Sequence, residues 1–557
     1  MTSIFFNKSR VQNRISLVIV LTLLGLFLGS CSENRKNEPP NILLIVADDL
    51  GYSDLGCFGG EVETPQLDNL ASDGVLMTRF YTTGRCCPSR TSILTGLYPH
   101  RAGLGHMIRD LGQPGYRGRV SDDAITIAQV LQQSGYRTFM SGKWHLGTDD
   151  PTKHGFEEYF GTLISAQSFW DPNQYIRLPE GREKRTYNDG EFYGTNALTD
   201  YALDFLQEAR ETPGKPWFLY LAYNSPHFPL QAPKSEIDKY AETYKIGWDE
   251  IRQERIERMK QIGILPEETV LTPRSEYWAW AESEPGVNPD WTDVPEERQM
   301  DLARRMAIFA AMIDVMDQNI GRVVSDLKKE HELDNTLIIF ISDNGACAEW
   351  DPYGFDIRTG PNNILYTGDQ IEEMGGPETY HSFGSGWANA SNTPWRLYKH
   401  YNHEGGISSP FIVHWPDGLK RKGVIDNRPG HLIDLMPTIL DAAGTNYPAE
   451  FNGQKTILLA GESILPLLQG DPVDDRILYF EHEGNRAVDD GKWKLSALKG
   501  KDWELYDMEN DRTELNDLSG EYPSIVTRLD SLWNIWAKEN FVTPLPTNYR
   551  MPYLPRE

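Results

Sequence analysis

The sequence predicts an α/β protein: a large, mainly parallel sheet covered by helices on both faces, followed by a small antiparallel subdomain. Three observations carry this. Asn41-Ile42-Leu43-Leu44-Ile45-Val46-Ala47 is an unbroken apolar run of strand length, the pattern of a strand buried on both faces rather than one. Three more such runs, Tyr136 to Met140, Phe218 to Ala222 and Thr336 to Ile341, each lead into a polar cluster, as the first leads into Asp48-Asp49. After about residue 465 the texture changes to short strand-like pieces between Gly and Asp turns.

Taken in chain order, residues 1–30 carry Lys8, Arg10 and Arg14, then an apolar run from Ile15 to Leu28, and no acidic residue. That is the layout of an export signal, which is not part of the fold. The run ends Leu28-Gly29-Ser30-Cys31, similar to a lipobox, so cleavage before Cys31 and lipid attachment to it are expected. Residues 31–40 then form a polar tether lifting the protein off a membrane. The expected location is the periplasm or outer-membrane surface of a Gram-negative bacterium.

The main domain is read as residues 41–464 and the C-terminal α+β subdomain as 465–557. Between the strands run helical patterns: Ile125, Ala128 and Leu131 ending at Gly135, and a longer series from Met306 through Ile313 and Ile320 to Leu327. Residues 240–300, charged and then rich in Trp, Pro and Glu, interrupt the alternation and read as an inserted excursion. In the C-terminal part, Ile477 to Glu481, Trp493 to Leu498 and Trp503 to Tyr506 read as strands, and Ser524 to Lys538 as one helix packed on them.

Charge and cysteine content limit the partners. The formal charge of -27 becomes -30 once residues 1–30 are removed, which excludes nucleic acid as a partner and requires any anion-binding basic side chains to be gathered in one pocket. Of the five cysteines, Cys57, Cys87 and Cys347 remain after Cys31 and Cys86 are assigned to modification. They allow one disulfide at most.

The polar clusters are Asp48-Asp49, Gly142-Lys143-Trp144-His145, Asn224-Ser225-Pro226-His227 and Asp343-Asn344-Gly345. In open α/β sheets ligands bind at the strand exits, so four clusters distant in sequence are placed to converge. A fifth motif, Cys86-Cys87-Pro88-Ser89-Arg90 continuing to Gly96, reads as a helix start. Pro88 suits a first turn, and Arg90, four residues after Cys86, projects on the same face. A helix N-terminus there adds amide groups and a positive dipole end for an anion.

The ordered set of these motifs, with Lys399 ahead of Glu404-Gly405-Gly406, resembles the type I sulfatases, and the Cys86 stretch their signature. Trp248-Asp249-Glu250-Ile251-Arg252, the helix around Met306 to Gly321, Gly491-Lys492-Trp493-Lys494-Leu495 and Glu504-Leu505-Tyr506-Asp507 extend the likeness to bacterial arylsulfatases over nearly the whole mature chain. The resemblance implies an alkaline-phosphatase-like large mixed sheet sandwiched by helices, with a smaller C-terminal antiparallel sheet. It implies that Cys86 is oxidised by a maturation enzyme to formylglycine, whose hydrate offers one hydroxyl to attack sulfur and a second to expel sulfate. It also implies that Asp48, Asp49, Asp343 and Asn344, with the oxygen of the modified Cys86, hold one metal ion. An all-oxygen set suits calcium better than magnesium or zinc. By the same likeness Arg90, Lys143 and Lys399 neutralise sulfate, His227 with Lys399 protonates the leaving alcohol, Asp343 accepts a proton and His145 deprotonates the second hydroxyl.

The expected function is hydrolysis of sulfate esters, on aryl sulfates in the test tube and on sulfated carbohydrates such as algal ulvan in nature. Two other readings share the sequence features: a phosphodiester or phosphonate hydrolase of the same superfamily, and an inactive sugar-binding lipoprotein whose Cys86 stays a thiol. Trp170, Asp171, His403 and His482 fall in stretches read as loops, of the kind that line substrate pockets, and carry no assigned role.

Overall fold

The computed structural model describes residues 38–165, 168–278 and 285–545. The expected signal segment 1–30 and the lipid site at Cys31 lie outside the described residues. Among the described residues, no helix is long and apolar enough to cross a membrane.

Ten strands form the main sheet: β1 (Asn41–Asp48), β2 (Val75–Tyr81), β3 (Arg137–Lys143), β4 (Glu158–Thr162), β5 (Ile176–Leu178), β6 (Trp217–Pro226), β7 (Thr336–Ser342), β8 (Ser408–His414), β9 (Val424–Asp426) and β10 (Gly430–His431). Their order is β9-β2-β8-β7-β1-β6-β3-β4-β5, with β10 also on β2. The central strands β7, β1, β6, β3 and β4 run parallel, with Leu44 opposite Ile339 on one side and Tyr220 on the other. Strand β8 is antiparallel to both β7 and β2, which makes the sheet mixed.

Period-two alternation explains why β1 is apolar at every position. Leu43, Ile45 and Ala47 enter the core on one face, and Ile42, Leu44 and Val46 enter the core on the other. The first face is covered by α2 (Gly194–Arg210) and the 34-residue α4 (Glu296–Lys329), the second by α1 (Cys86–Thr95) and the helices Ile127–Gln133 and Leu435–Ala442. Helix α4 starts ten residues before the apolar series that reveals it, because its first three turns carry charged residues such as Arg298, Asp301 and Arg305.

The stretch 240–300 is more ordered than an excursion. It contains α3 (Trp248–Gln261), whose Trp248 packs edge-on against Trp291 and Trp387. From the same helix the fully buried Arg255 reaches Asp54 at 2.7 Å and Glu61 at 2.6 Å, tying α3 to the loop after β1.

The C-terminal part is a four-stranded antiparallel meander, β11 (Leu478–His482), β12 (Asn485–Asp489), β13 (Trp493–Ala497) and β14 (Glu504–Asp507), covered by α5 (Pro523–Glu539) through Leu529, Trp533 and Trp536. Sequence reading expects three strands here; β12, Asn-Arg-Ala-Val-Asp, is mostly polar and escapes it. His482 ends β11 and is fully buried rather than in a loop.

A buried ionic cluster joins this sheet to the main one. Glu404, fully buried, faces Lys494 of β13 at 2.8 Å and Arg512 at 2.8 Å, while Lys494 also meets Glu514 at 2.8 Å. Burial pushes the Glu404 carboxyl up, but Lys494 and Arg512 outweigh it and bring it down to about 2. A carboxyl depressed from the ordinary 4.5 contributes stability above that value and loses it as pH falls towards 2. The melting temperature of the wild type should therefore fall between pH 4.5 and 2 more steeply than that of Glu404→Gln, measured by calorimetry. Parallel curves would show that the cluster does not titrate with folding.

Candidate active site

The strand exits deliver the expected residues to one place. β1 ends at Asp48, and Asp49 follows with φ +66°, a left-handed conformation costly for a residue with a Cβ and concentrated at functional sites. β3 ends at Lys143, and His145 beyond it has φ +54°. β6 leads to His227, and β7 to Asp343 and Asn344. Gly142 precedes the lysine because β3 passes so close to β6 that a Cβ there would lie 1.8 Å from the Ala222 carbonyl oxygen. Cys86 is the first residue of α1, and Lys399 comes from the loop before β8. These nine residues and Arg90 are all buried, His227 the most open at 6 % exposure.

The side chains interlock. Lys143 Nζ donates to Asp48 Oδ2 at 2.6 Å, and Lys399 Nζ to Asp49 Oδ2 at 2.8 Å. His227 Nε2 lies 3.4 Å from the same Asp49 oxygen. Its Nδ1 sits 2.6 Å from the Phe228 carbonyl, which only accepts, so Nδ1 carries the proton and Nε2 faces the site. Asn344 Nδ2 donates to Asp49 Oδ1 at 2.6 Å, and the Asp49 amide to Asp343 Oδ1 at 3.3 Å.

Arg90 braces the carboxylates. Its Nε and Nη2 engage Asp343 Oδ2 at 2.9 and 2.8 Å, Nη2 lies 3.5 Å from Asp48 Oδ1, and Nη1 donates to the Lys143 carbonyl at 3.0 Å.

Electrostatics separate the groups. A hydrogen bond from Cys87 holds the Cys86 thiol well below the ordinary range, against burial and with help from the charges of Lys143 and Lys399. Cys87 itself is pushed up by burial. Burial brings His145 down to about 4, so it is a neutral base at pH 7. Burial raises Asp343 far above the carboxylate range in spite of Arg90, whereas Lys143, His227 and Arg90 overcome burial and hold Asp48 low. Cys57, Cys86, Cys87 and Cys347 are all free, so the one disulfide that the sequence allows does not form among the described residues.

The residues fit a hard divalent cation. Asp48 Oδ1 and Asn344 Oδ1 are buried and accept no hydrogen bond, which is costly unless a cation takes their lone pairs. They belong to an oxygen-only donor set with Asp49 and Asp343. The ligand-capable atoms of Asp48, Asp49 and His227 lie within 4.8 Å of one another, as do those of Cys86, Cys87 and His145.

Sequence reading misses the surroundings of this centre. Cys347 Sγ lies 3.9 Å from Lys399 Nζ, and Glu349 Oε1 lies 4.0 Å from it. Their only signal is nearness to Asp343-Asn344-Gly345 in the chain. Arg85, beside Cys86, and His400, beside Lys399, are likewise buried in the site's wall.

Comparison with known proteins agrees with this arrangement. The model of the sulfatase family matches residues 40–445, and that of the N-sulphoglucosamine sulphohydrolase C-terminal region matches residues 394–534. An uncharacterised sulfatase of Schizosaccharomyces pombe is 33% identical over 93% of this chain and 97% of its own length. The arylsulfatase of Klebsiella aerogenes is 33% identical over 78% of this chain and 93% of its own. Among solved structures, Ps i-CgsB in complex with k-i-k-neocarrahexaose superposes with a TM-score of 0.64 and 26% identity, covering 92% of this chain and 96% of that one. With relatives matched along nearly its whole length and the family model spanning most of it, the chain belongs to the sulfatase family and is a sulfuric ester hydrolase.

Proposed function

We propose that this hydrolase removes sulfate from carbohydrates, using a formylglycine made from Cys86 by a maturation enzyme and one calcium ion per chain. The observation that carries the reading is the place of Cys86: first residue of a buried helix, between a neutral His145 and the Lys143 and Lys399 cations, with Arg90 one turn behind. A hydrated aldehyde at that position supplies two hydroxyls on one carbon, which no unmodified side chain does. Asp48, Asp49, Asp343 and Asn344 would hold the cation, which supplies positive charge to favour the ionised hydroxyl.

This chain's own residues then do the following. Lys143 and Lys399 offer charge to the sulfate oxygens, joined by the amide groups at the start of α1. Arg90 keeps Asp343 and Asp48 in register. His145, uncharged at neutral pH, takes a proton from the hydroxyl that is not esterified. His227, its Nδ1 fixed on the Phe228 carbonyl, presents Nε2 to the leaving alcohol, and Lys399 shares Asp49 with it.

The carbohydrate reading draws support from the oligosaccharide bound to Ps i-CgsB and from the apparent lipoprotein signal, since tethered hydrolases serve external polymers. We place the protein, anchored through Cys31, in the periplasm or on the outer membrane of a Gram-negative bacterium, with sulfated algal polysaccharide such as ulvan as the source of its substrates.

Mass spectrometry of the Cys86 peptide should show a loss of about 18 Da relative to cysteine. Cys86→Ala should abolish sulfate release while its melting curve stays close to wild type; retained turnover would overturn the nucleophile. Calcium added at a hundred times its Kd to chelated protein should raise stability by about 2.7 kcal/mol, and an unmoved melting temperature would remove the cation from the site. His227→Ala should slow an alkyl sulfate by about 10²- to 10³-fold and an activated aryl sulfate far less, because only the poor leaving group needs the proton. Equal slowing of both would take the acid role from His227.

A further inference from the structure

A second buried polar cluster adjoins Cys86. Arg85 directly precedes Cys86 in the chain and His400 directly follows Lys399. Both side chains turn away from the carboxylate cluster toward two other carboxylates. Glu483 comes from the turn after β11 in the C-terminal sheet, with φ +58°. Its Oε1 lies 3.1 Å from Arg85 Nη1, 2.8 Å from His106 Nε2 and 3.2 Å from His482 Nε2, and its Oε2 lies 3.0 Å from His400 Nδ1. Glu349 Oε1 lies 3.2 Å from His400 Nε2, 3.9 Å from Arg85 Nη2 and 4.0 Å from Lys399 Nζ. Trp350 sets a half-buried ring 5.4 Å from the His400 ring.

This cluster is a costly thing to build for stability alone. Taking one guanidinium and two carboxylates out of water costs several kcal/mol per ion, and apolar residues of similar volume often do as well. The C-terminal sheet already has an apolar contact of its own and the Glu404 cluster to hold it. The placement is what a leaving-group pocket requires. Glu349 reaches within 4.0 Å of Lys399 Nζ, one of the cations offered to sulfate, and Arg85 adjoins Cys86 in the chain, so the cluster borders the place where an ester's sulfate would sit.

Its chemistry names the class of alcohol. Carboxylates accept two hydroxyls each, imidazole and guanidinium donate to ring and hydroxyl oxygens, and an indole face stacks on a sugar ring. The carboxylates of Glu349 and Glu483 favour a free hydroxyl over a second anionic group beside them.

We propose that Arg85, His106, Glu349, His400, His482 and Glu483 form the pocket for the alcohol half of the ester, selecting a sugar whose carbons beside the sulfate bear free hydroxyls. It rests on the carbohydrate sulfatase reading above, and completes the pocket with residues from both sheets.

The test compares kcat/KM for monosulfated mono- and oligosaccharides, such as galactose 3-sulfate and glucose 3-sulfate, with that for 4-nitrophenyl sulfate. It uses protein whose Cys86 conversion has been verified. In Glu349→Gln and in Glu483→Gln the ratio of sugar to aryl turnover should fall at least thirtyfold, and the wild type should prefer monosulfated to vicinally disulfated sugars by tenfold or more. A ratio that stays constant in the variants overturns the pocket and leaves the sulfatase chemistry standing, as does a wild type that turns over the aryl ester and none of the sugars. Failure to release sulfate from any ester overturns the function itself. Glu349→Gln lies outside the C-terminal sheet, so it keeps the test decisive should Glu483→Gln fail to fold.

Discussion

Everything in this molecule is arranged around holding Asp48, Asp49 and Asp343 together out of water. Three carboxylates in one buried place repel one another, and each loses hydration worth several kcal/mol. The fold meets the cost with three cations, each delivered by a different route: Lys143 from a neighbouring parallel strand, Arg90 from the helix that begins with Cys86, and Lys399 from the loop before β8. The division of labour follows from geometry. Arg90 reaches two carboxylates and a carbonyl through its planar fork, while the lysines are point charges, each on one carboxylate. Asp48 Oδ1 and Asn344 Oδ1 still accept no hydrogen bond, which suits a place for a further positive ion.

Much of this was legible in the chain. The central strands announce themselves because burial on both faces forbids polar residues, and the change to acidic residues at Asp48 and Asp343 marks the sheet's edge without ambiguity. The start of α1 was equally readable from Pro88 and the four-residue step to Arg90. What escaped did so for physical reasons. β2 carries Thr78 and Arg79 in its middle, the latter paired with Asp489 of the other sheet, so its apolar run is broken by an interaction 410 residues away. β8 includes Pro410 at a point where its register with β2 shifts. β12 looks polar because its partners, not its own side chains, cover it.

The site shows the same limit. Residue types and spacing point to Cys86, the carboxylates and the two histidines, since each sits at the end of a recognisable element. They do not show that Arg90 faces the carboxylates, nor that His482 is fully buried beside Glu483, because those facts depend on which loop closes over which. Glu349 and Glu483 stand 134 residues apart in the chain and become one environment only through His400 and Arg85.

Glu404 lies five residues beyond Lys399, and its counterions arrive from positions 494 and 512. Those positions leave the ribosome 90 and 108 residues after Glu404. Until they emerge, the segment bearing Lys399 carries an acid that has no neutralising neighbour and stays reluctant to dry out. The segment bearing Lys399 thus finds its counterions only in a later stretch of polypeptide, and a recombinant chimera that swaps this stretch for a cousin's must bring both basic residues along to keep Glu404 neutralised.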